Sequence, residues 1–424
     1  MSNIAAAIIT IGDELLIGQT IDTNSAWIAK HLNELGIDVL RRVAVGDNRE
    51  AIIKALDEEI ARASIVLITG GLGPTADDIT KPLLCDYFGG KMIVDQQVLD
   101  HVKAMMAKRN RPFLERNLKQ AEVPDVCTVL FNKMGSAPGM WFEVPQSKTG
   151  GERKVVIAMP GVPFEMISIM QDEVLPRLRT QFFSDALLHR TLVTAGEGES
   201  VIAEKIMDLE NALPAHIKLA YLPDAGMVRL RLTGRGKDSD LLTKELETHQ
   251  LELAQRLGNI VVAHDDHSME KIIGDLLLAK GKTIGLAESC TGGFIGHLIT
   301  QISGSSTYFN GSIVSYSNEV KQNVLGVNKE TIESYGAVSE QTVTEMAKGA
   351  LRVLDVDYAL AVSGVLGPAG GTDRVPVGTV WMAVADKDNV KTKEFRFFYG
   401  RLQNKEMAAK MGMMMVYKVI SEKL

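Results

Sequence analysis

Cysteine is scarce in this chain. Its 424 residues include three, Cys85, Cys127 and Cys290, far apart and without a CxxC pair. That spacing argues against a disulfide framework and against a zinc site. Long apolar runs are also missing. No stretch approaches the roughly 18–20 residues needed to span a bilayer, because Gly, Asp or Lys interrupts each one. The opening residues MSNIAAAIITIGDE carry no basic cluster, and Asp13 and Glu14 close the apolar stretch early. The segment therefore predicts a first strand and not a signal peptide, and a cytoplasmic location is expected. A basic excess is the third absence: 46 Lys and Arg stand against 53 Asp and Glu, for a net charge of −7. Polyanion-binding proteins usually show a basic surplus or stripe. The short runs KRNR (108–111) and GRGK (234–237) read as a solvated helix end and a hairpin tip. No internal repeat is evident, and small ligands are expected rather than nucleic acid or membrane.

What is present is ordinary globular composition, 46% hydrophobic and 23% charged. At roughly 100–200 residues per domain, the length predicts two to four domains. From residue 4 to about 180, short apolar strands (IAAAIIT, VLRRVAV, IVLITGG, KVVIAMPG) alternate with helical stretches (SAWIAKHLNELG, NREAIIKALDEEIARA, PFEMISIMQDEVLPRL). Helices separating buried strands imply parallel pairing and a doubly wound α/β sheet. TVLFNKMGSAPGMWFEV reads as a hairpin. Residues 185–258 read as a small α+β module of strands RTLVTA, HIKLAYL and GMVRLRLTG with two helices. From 262 to 424 a third α/β segment follows, ending in a helix over 404–424 whose five methionines between 407 and 415 are expected to fill its core face. The predicted domains are thus 1–180, 185–258 and 262–424.

In the first segment the loop GGLGPTADDIT (70–80) follows a buried strand and precedes a helix. Ligands gather at the carboxyl ends of parallel strands. The glycines Gly70, Gly71 and Gly73, with Thr75, let backbone amides approach a phosphate, and the helix start adds positive potential. Asp77 and Asp78 stand where phosphate-bound Mg²⁺ takes one or two carboxylates. A tight turn with acidic residues favoured at a helix start explains the same letters. Asp13, Glu14 and Asp22, at the end of the first strand, add carboxylates to the same sheet edge.

The sharpest constellation is in the third segment. AESCTGG (287–293) ends a strand where a helix begins, placing Ser289 and Cys290 beside unpaired helix amides able to hold a phosphate or an oxyanion. SYSNEVKQNVLG (315–326) starts a second helix, with Asn318 as its expected cap and Lys321 in the first turn, where the dipole lowers an ammonium pKa. A serine beside a neutral lysine is one solution to hydrolysis without histidine. Ser289 also reads as a plain helix cap, and Cys290 as a small buried hydrophobe or as a rival nucleophile. GSSTYF (304–309), SGVLGPAGGTD (363–373) and PVGTVWM (376–382) suit a small anionic substrate.

These residues carry a resemblance. GDELLIGQTIDTNSAWIA (12–29), the glycine loop, NLKQAEVP (117–124), GSAPGMW (135–141) and MPGVPFEM (159–166) together resemble the molybdopterin-binding-like domain of the CinA family, the competence/damage-inducible proteins. AESCTGG, GSS, YSNEVK, GAVSE, SGVLGPAGG and PVGTVW resemble that family's PncC-type nicotinamide mononucleotide deamidase domain. The middle segment is similar to its KH-type linker domain. GEGES (196–200) is acidic and lacks the GXXG spacing of a nucleic-acid clamp, so a structural role is expected there. The resemblance implies a MoaB/MogA-like α/β fold first, a KH-type α+β module second and a PncC-like α/β domain last. It implies metal-dependent ADP-ribose pyrophosphatase activity, with Asp77 and Asp78 as metal ligands and Asp78 catalytic. Glu14, Asn24 and Gly161 join the glycine loop in binding substrate. In the last domain it implies deamidation without a cofactor, with Ser289 as nucleophile, Lys321 as base and Tyr316 as hydrogen-bonding partner. Thr291, Gly292, Gly293, Ser305, Ser306, Gly364, Gly367, Gly370 and Gly371 would line the substrate site. Two departures stand out: Leu366 replaces a common alanine, and Arg401 falls one position early after the FxG glycine. A cytoplasmic homodimer is implied. A bifunctional pyridine-nucleotide recycling enzyme is the leading expectation. The alternatives are an active pyrophosphatase with a nucleotide-binding or regulatory C-terminal domain, a non-enzymatic competence-linked protein, and pterin-related chemistry.

Overall fold

The computed structural model describes residues 4–75, 78–182, 185–224 and 226–422, except the side chains of 116, 147 and 148. The fold is mixed α/β. The chain divides into two compact units, residues 1–188 with 234–244, and 189–233 with 245–424.

The strands of the first unit are β1 (Ala5–Ile11), β2 (Asp38–Val45), β3 (Ile65–Thr69), β4 (Met92–Val94), β5 (Glu122–Pro124), β6 (Thr128–Leu130), β7 (Gly139–Glu143) and β8 (Val155–Met159). Six of them form one sheet in the order β2-β1-β3-β8-β7-β6, and β4 pairs with β5 apart from it. β2, β1, β3 and β8 run parallel; β7 and β6 are antiparallel. The central strands AAAIITI, IVLIT and VVIAM are buried throughout, as strands covered on both faces must be. Alternation sorts their side chains. Ala6 and Ile8 face a core shared with Ile28 and Leu32 of helix Thr23–Glu34, whereas Ile9 and Ile11 face Ile52 and Leu56 of helix Arg49–Arg62. Asn48 caps the latter helix by accepting from the Glu50 and Ala51 amides, as its sequence suggests. With one crossover helix on each face, the loops after β1 and β3 part at a topological switch point.

One predicted helix departs from the expected form. PFEMISIMQDEVLPRL begins as α-helix Pro163–Ile169, passes through a π-helical turn over Met170–Val174 and resumes as Leu175–Gln181. Pro176 supplies the reason: its ring and missing N–H are incompatible with an unbroken α-helical ladder.

β9 (Ala186–Ala195), β10 (Ile217–Asp224), β11 (Met227–Gly236) and β12 (Val261–Ala263), whose residues fall mostly in the second unit, form a sheet in the order β10-β11-β9-β12. β12, unread in the sequence, pairs antiparallel with β9. The remaining strands are β13 (Ile284–Glu288), β14 (Phe309–Val314), β15 (Tyr358–Gly364), β16 (Thr379–Ala385) and β17 (Val390–Arg396), ordered β14-β13-β15-β16-β17. β14, β13 and β15 are parallel, and β16 and β17 antiparallel. Helix Glu340–Leu354 covers one face of this sheet, packing Val343, Met346 and Ala350 against Ala287 and Ala361. Helices Met269–Lys280, Phe294–Thr300 and Arg401–Ile420 contribute to the core on the other face. Met413, Met414 and Met415 are buried in that core, and Met407 and Met411 pack against it.

Candidate functional site

Two places collect the residues singled out by sequence, one in each unit. In the first, Thr10 of β1 and Thr69 of β3 lie side by side at the carboxyl ends of their strands. A cavity of about 100 Å³ opens there, lined by Thr10, Glu14, Asn24, Thr69, Gly161 and Pro163 among others. Asn24 ties its walls together, donating from Nδ2 to Thr69 Oγ1 at 3.0 Å and to the Gly161 carbonyl at 2.7 Å. Its Oδ1 is buried and has no partner among the described residues. Gly70 crosses so close to the first loop that a Cβ would sit 2.2 Å from the Ile11 carbonyl oxygen, at a φ of +117°. Only glycine fits there.

The glycine loop closes on Asp78. One carboxylate oxygen accepts from the Gly73 amide at 2.7 Å; the other accepts from the Thr75 amide at 2.9 Å and from the Thr75 hydroxyl. The Gly70 amide donates to the Met159 carbonyl. These amides, expected to face a phosphate, are therefore committed within the protein, because Asp78 folds back on the loop that precedes it. Asp77 lies outside the described residues. Two other acids of this edge are also engaged: Asp22 caps helix Thr23–Glu34 through the Ser25 amide at 2.9 Å, and Asp13 exchanges carboxylate–amide bonds with Asp47. No cluster of three metal-ligating His, Cys, Asp or Glu side chains occurs among the described residues. Asp78 has spent three of its roughly four acceptor positions. Mg²⁺ usually takes one or two carboxylates together with substrate phosphates, keeping several waters. Among the described residues this leaves about one acceptor position, on Asp78, for an ion arriving with a phosphorylated substrate.

Two ionisable residues nearby went unread in the sequence. Glu165, in MPGVPFEM, is half-buried; burial raises its carboxyl pKa, against the opposing bond from Asn132 Nδ2 at 2.7 Å. Lys81 is buried and donates to the Lys119 and Gln120 carbonyls, both at 3.1 Å, and desolvation pushes its ammonium down to about 8. Both sit beside quoted motifs, but neither spacing nor residue type marked them as buried.

In the second unit β13 is the switch strand, with β14 on one side and β15 on the other. Ser289 follows β13 directly, and its amide donates to the Val362 carbonyl of β15 at 2.9 Å. Lys321 is 1% exposed; its Nζ lies 3.0 Å from Ser289 Oγ and 2.7 Å from the Ser315 carbonyl. Its pKa is lowered, as expected, but the cause is burial. The helix does not start where the sequence suggested. Ser317 is the cap, accepting from the Val320 amide at 3.2 Å, and Asn318 is the first residue of helix Asn318–Asn323. Serine and asparagine cap comparably, so only the backbone distinguishes them.

Three amides of the AESCTGG turn and the helix it opens are also taken up within the protein. The Glu288 carboxylate, fully buried, accepts from the amides of Gly293, Ile295 and Gly296 and from the Ser312 hydroxyl. Glu288 was not singled out in the sequence, although an acid closing the apolar strand IGLAE was its visible signal. Cys290 is buried, and burial pushes its thiol up to about 12. That removes the thiolate a cysteine nucleophile needs.

A cavity of about 260 Å³ is lined by Ser289, Lys321, Tyr316, Leu366, Gly370 and Arg401, with Gly364 and Cys290 among the further residues. Tyr316 is exposed, and its hydroxyl accepts from Arg401 at 3.1 Å; Arg401 also donates to the Gly367 carbonyl at 2.8 Å. The shifted arginine thus reaches the cavity. Leu366 is 2% exposed, packed into the wall. Thr291, Gly292, Gly293, Gly367, Gly371, Ser305 and Ser306 are not among the described residues lining this cavity. Gly292 and Gly293 make the turn, at φ of +61° and +91°. Ser305 and Ser306 belong to the 3-10 turn Ser305–Thr307 that leads into β14, at the opposite end of that parallel strand from Ser315.

Three family models match in order: a probable molybdopterin binding domain over 7–180, the damage-inducible protein CinA KH domain over 189–263, and the CinA C-terminal domain over 266–420. A CinA-like protein of Cytophaga hutchinsonii is 43% identical over 408 residues, 96% of each chain. One of Flavobacterium psychrophilum is 42% identical over 417 residues, 98% of each. Among solved structures, competence/damage inducible protein CihA from Agrobacterium tumefaciens is 38% identical, covering 35% of this chain and 90% of its own, with a TM-score of 0.34. No helix among the described residues is long and apolar enough to cross a membrane.

Proposed function

Because this chain belongs to the family of CinA-like proteins, we propose that it is a bifunctional pyridine-nucleotide recycling hydrolase. The C-terminal domain deamidates nicotinamide mononucleotide to nicotinic acid mononucleotide and ammonia. The N-terminal domain hydrolyses ADP-ribose to AMP and ribose 5-phosphate. Both substrates arise from NAD breakdown, a chemical reason to tether the activities. The observation that carries the reading is the buried contact between Lys321 Nζ and Ser289 Oγ.

In the deamidase, neutral Lys321 accepts the Ser289 proton as Oγ attacks the carboxamide carbon. One Lys321 N–H stays on the Ser315 carbonyl, holding the amine beside Ser289, where its lone pair can take the hydroxyl proton. The tetrahedral intermediate collapses as Lys321 returns the proton to the leaving nitrogen, releasing ammonia and an ester on Ser289. Water, deprotonated by Lys321, then cleaves the ester and restores the serine. Arg401, the cation in the cavity wall, receives the anionic part of the nucleotide, and Tyr316 orients that guanidinium.

In the N-terminal domain, Asp78 together with Asp77 would hold a divalent ion, which when bound neutralises charge on the diphosphate oxygens and lowers the pKa of a bound water. Asn24, Glu14 and Gly161 form the cavity wall against which the nucleotide is placed. The protein is proposed to act as a cytoplasmic homodimer.

Incubating the purified protein with each nucleotide, with and without EDTA, tests both halves. Metal-dependent AMP and ribose 5-phosphate, and metal-independent ammonia, are the expected products. Asp78→Asn should abolish ADP-ribose turnover with the fold retained; unchanged turnover in that variant, or full turnover in EDTA, removes the metal mechanism. The packed Leu366, where a smaller residue is common in the resembling domains, favours a second reading in which the narrowed C-terminal pocket only binds nucleotide. Binding of the mononucleotide without ammonia release would establish it.

A further inference from the structure

Glu288 is the last residue of β13 and is fully buried, yet no step of the proposed deamidation touches it. Its carboxylate is saturated. One oxygen accepts from the Gly293 amide at 3.0 Å and the Ile295 amide at 3.1 Å; the other accepts from the Gly296 amide and the Ser312 hydroxyl, both at 2.9 Å. A carboxylate offers about four acceptor positions, and all are filled.

The four donors come from two stretches of chain that each carry half of the Ser–Lys pair. Gly293, Ile295 and Gly296 belong to the turn and helix that directly follow Ser289. Ser312 belongs to β14, which leads to Ser315, whose carbonyl holds Lys321. The Glu288 backbone reinforces the link, its carbonyl accepting from the Ser315 amide at 2.8 Å. Left-handed Gly292 and Gly293 bend the turn back so that its amides reach the carboxylate. We infer that Glu288 is the positioning residue of the nucleophile turn, fastening it to β14 so that Ser289 Oγ and Lys321 Nζ meet. A misplacement of ~1 Å costs about 100-fold in an oriented reaction, so one side chain that never meets substrate governs the rate. The inference rests on the reading of Ser289 as a nucleophile activated by Lys321.

Glu288→Gln is nearly isosteric, but its amide NH₂ must face either the Gly293 and Ile295 amides or the Gly296 amide, setting donor against donor. The full-length variant and Ser312→Ala are compared with wild type in three readouts. These are kcat and KM for nicotinamide mononucleotide, the rate of Ser289 labelling by a fluorophosphonate, and the denaturant unfolding of the C-terminal domain as a control for folding. Glu288→Gln should lower kcat about 100-fold with KM little changed, and labelling should fall in parallel. Ser312→Ala, which removes one bond of the four, should lower both about tenfold. If wild type labels at Ser289 without deamidating the mononucleotide, the substrate assignment fails, while slower labelling in both variants still supports Glu288. Wild-type labelling and kcat in folded Glu288→Gln would overturn the inference. So would an absence of Ser289 labelling in wild type. If Glu288→Gln does not fold, an unchanged Ser312→Ala overturns it equally.

Discussion

Ser289 and Cys290 are adjacent, and their surroundings separate them chemically. The thiol is buried and pushed up to about 12, whereas the hydroxyl faces an amine whose pKa burial has lowered. Cys290→Ala should therefore keep most deamidase activity. Ser289→Ala and Lys321→Ala should each lose at least ~100-fold, about 2.7 kcal/mol of transition-state stabilisation. Lys321→Arg should be as inactive, since a guanidinium does not deprotonate in proteins. Because the base works in its neutral form, kcat/KM should rise with pH through a pKa below the ordinary lysine value. Steady-state kinetics of the four proteins across pH check this; a dead Cys290→Ala beside an active Ser289→Ala would make the site a thiol amidase. Ser289 and Lys321 were legible as residue types at turns after strands. Their environment was not. A helix start lowers a lysine pKa by position alone, whereas at Lys321 the lowering comes from burial, which depends on side chains distant in sequence. Glu288 escaped notice for the same reason: its donors are five to eight and twenty-four residues away, and only the folded turn gathers them.

At the scale of elements, regular structure follows local pattern closely. Buried runs such as IVLIT and VVIAM became parallel strands, and Asn48 caps the helix it precedes. What failed was punctuation between equivalent signals. Ser317 and Asn318 are both competent caps, and the helix uses the first. Ser317→Ala should cost about 1 kcal/mol in denaturant unfolding of the domain, whereas Asn318→Ala should leave stability unchanged. A loss in Asn318→Ala with Ser317→Ala unchanged would return the cap to Asn318. Loop chemistry was less legible still. The spacing of Gly70, Gly71 and Gly73 suggested amides open to phosphate, but Asp78 folds back and takes two of the loop amides itself. A glycine-rich turn fixes where the backbone can pass, not which acceptor its N–H groups meet. The π-helical turn at Met170–Val174 likewise depends on how Pro176 is accommodated within a buried helix.

For the whole molecule, each unit contains a complete arrangement of parallel strand ends. The six-stranded sheet and its Asn24 cavity lie within residues 5–181, so a fragment ending near 180 should still hydrolyse ADP-ribose. A folded but inactive fragment would show that the site needs further residues. The C-terminal domain is less self-contained. Val193 and Ala195 of β9 and Met227 of β11 belong to the same buried core as Leu277, Met413 and Val416. Gly226 passes so near helix Arg401–Ile420 that a Cβ there would lie 2.8 Å from Met411 Cε, and Lys410 of that helix pairs with Asp224. The KH-type sheet is thus one wall of the core that anchors the helix bearing Arg401. Removing it uncovers apolar surface, and each large side chain returned to water costs roughly 1.5–3 kcal/mol. A fragment starting at 262 should accordingly unfold at lower denaturant than one starting at 185. It should also bind the mononucleotide more weakly, because Arg401 sits in the first turn of the loosened helix. Denaturant midpoints and calorimetric titration of the two fragments check both statements. Matching midpoints would mean that the shared core contributes no net stability and that the middle domain serves the deamidase only as a tether.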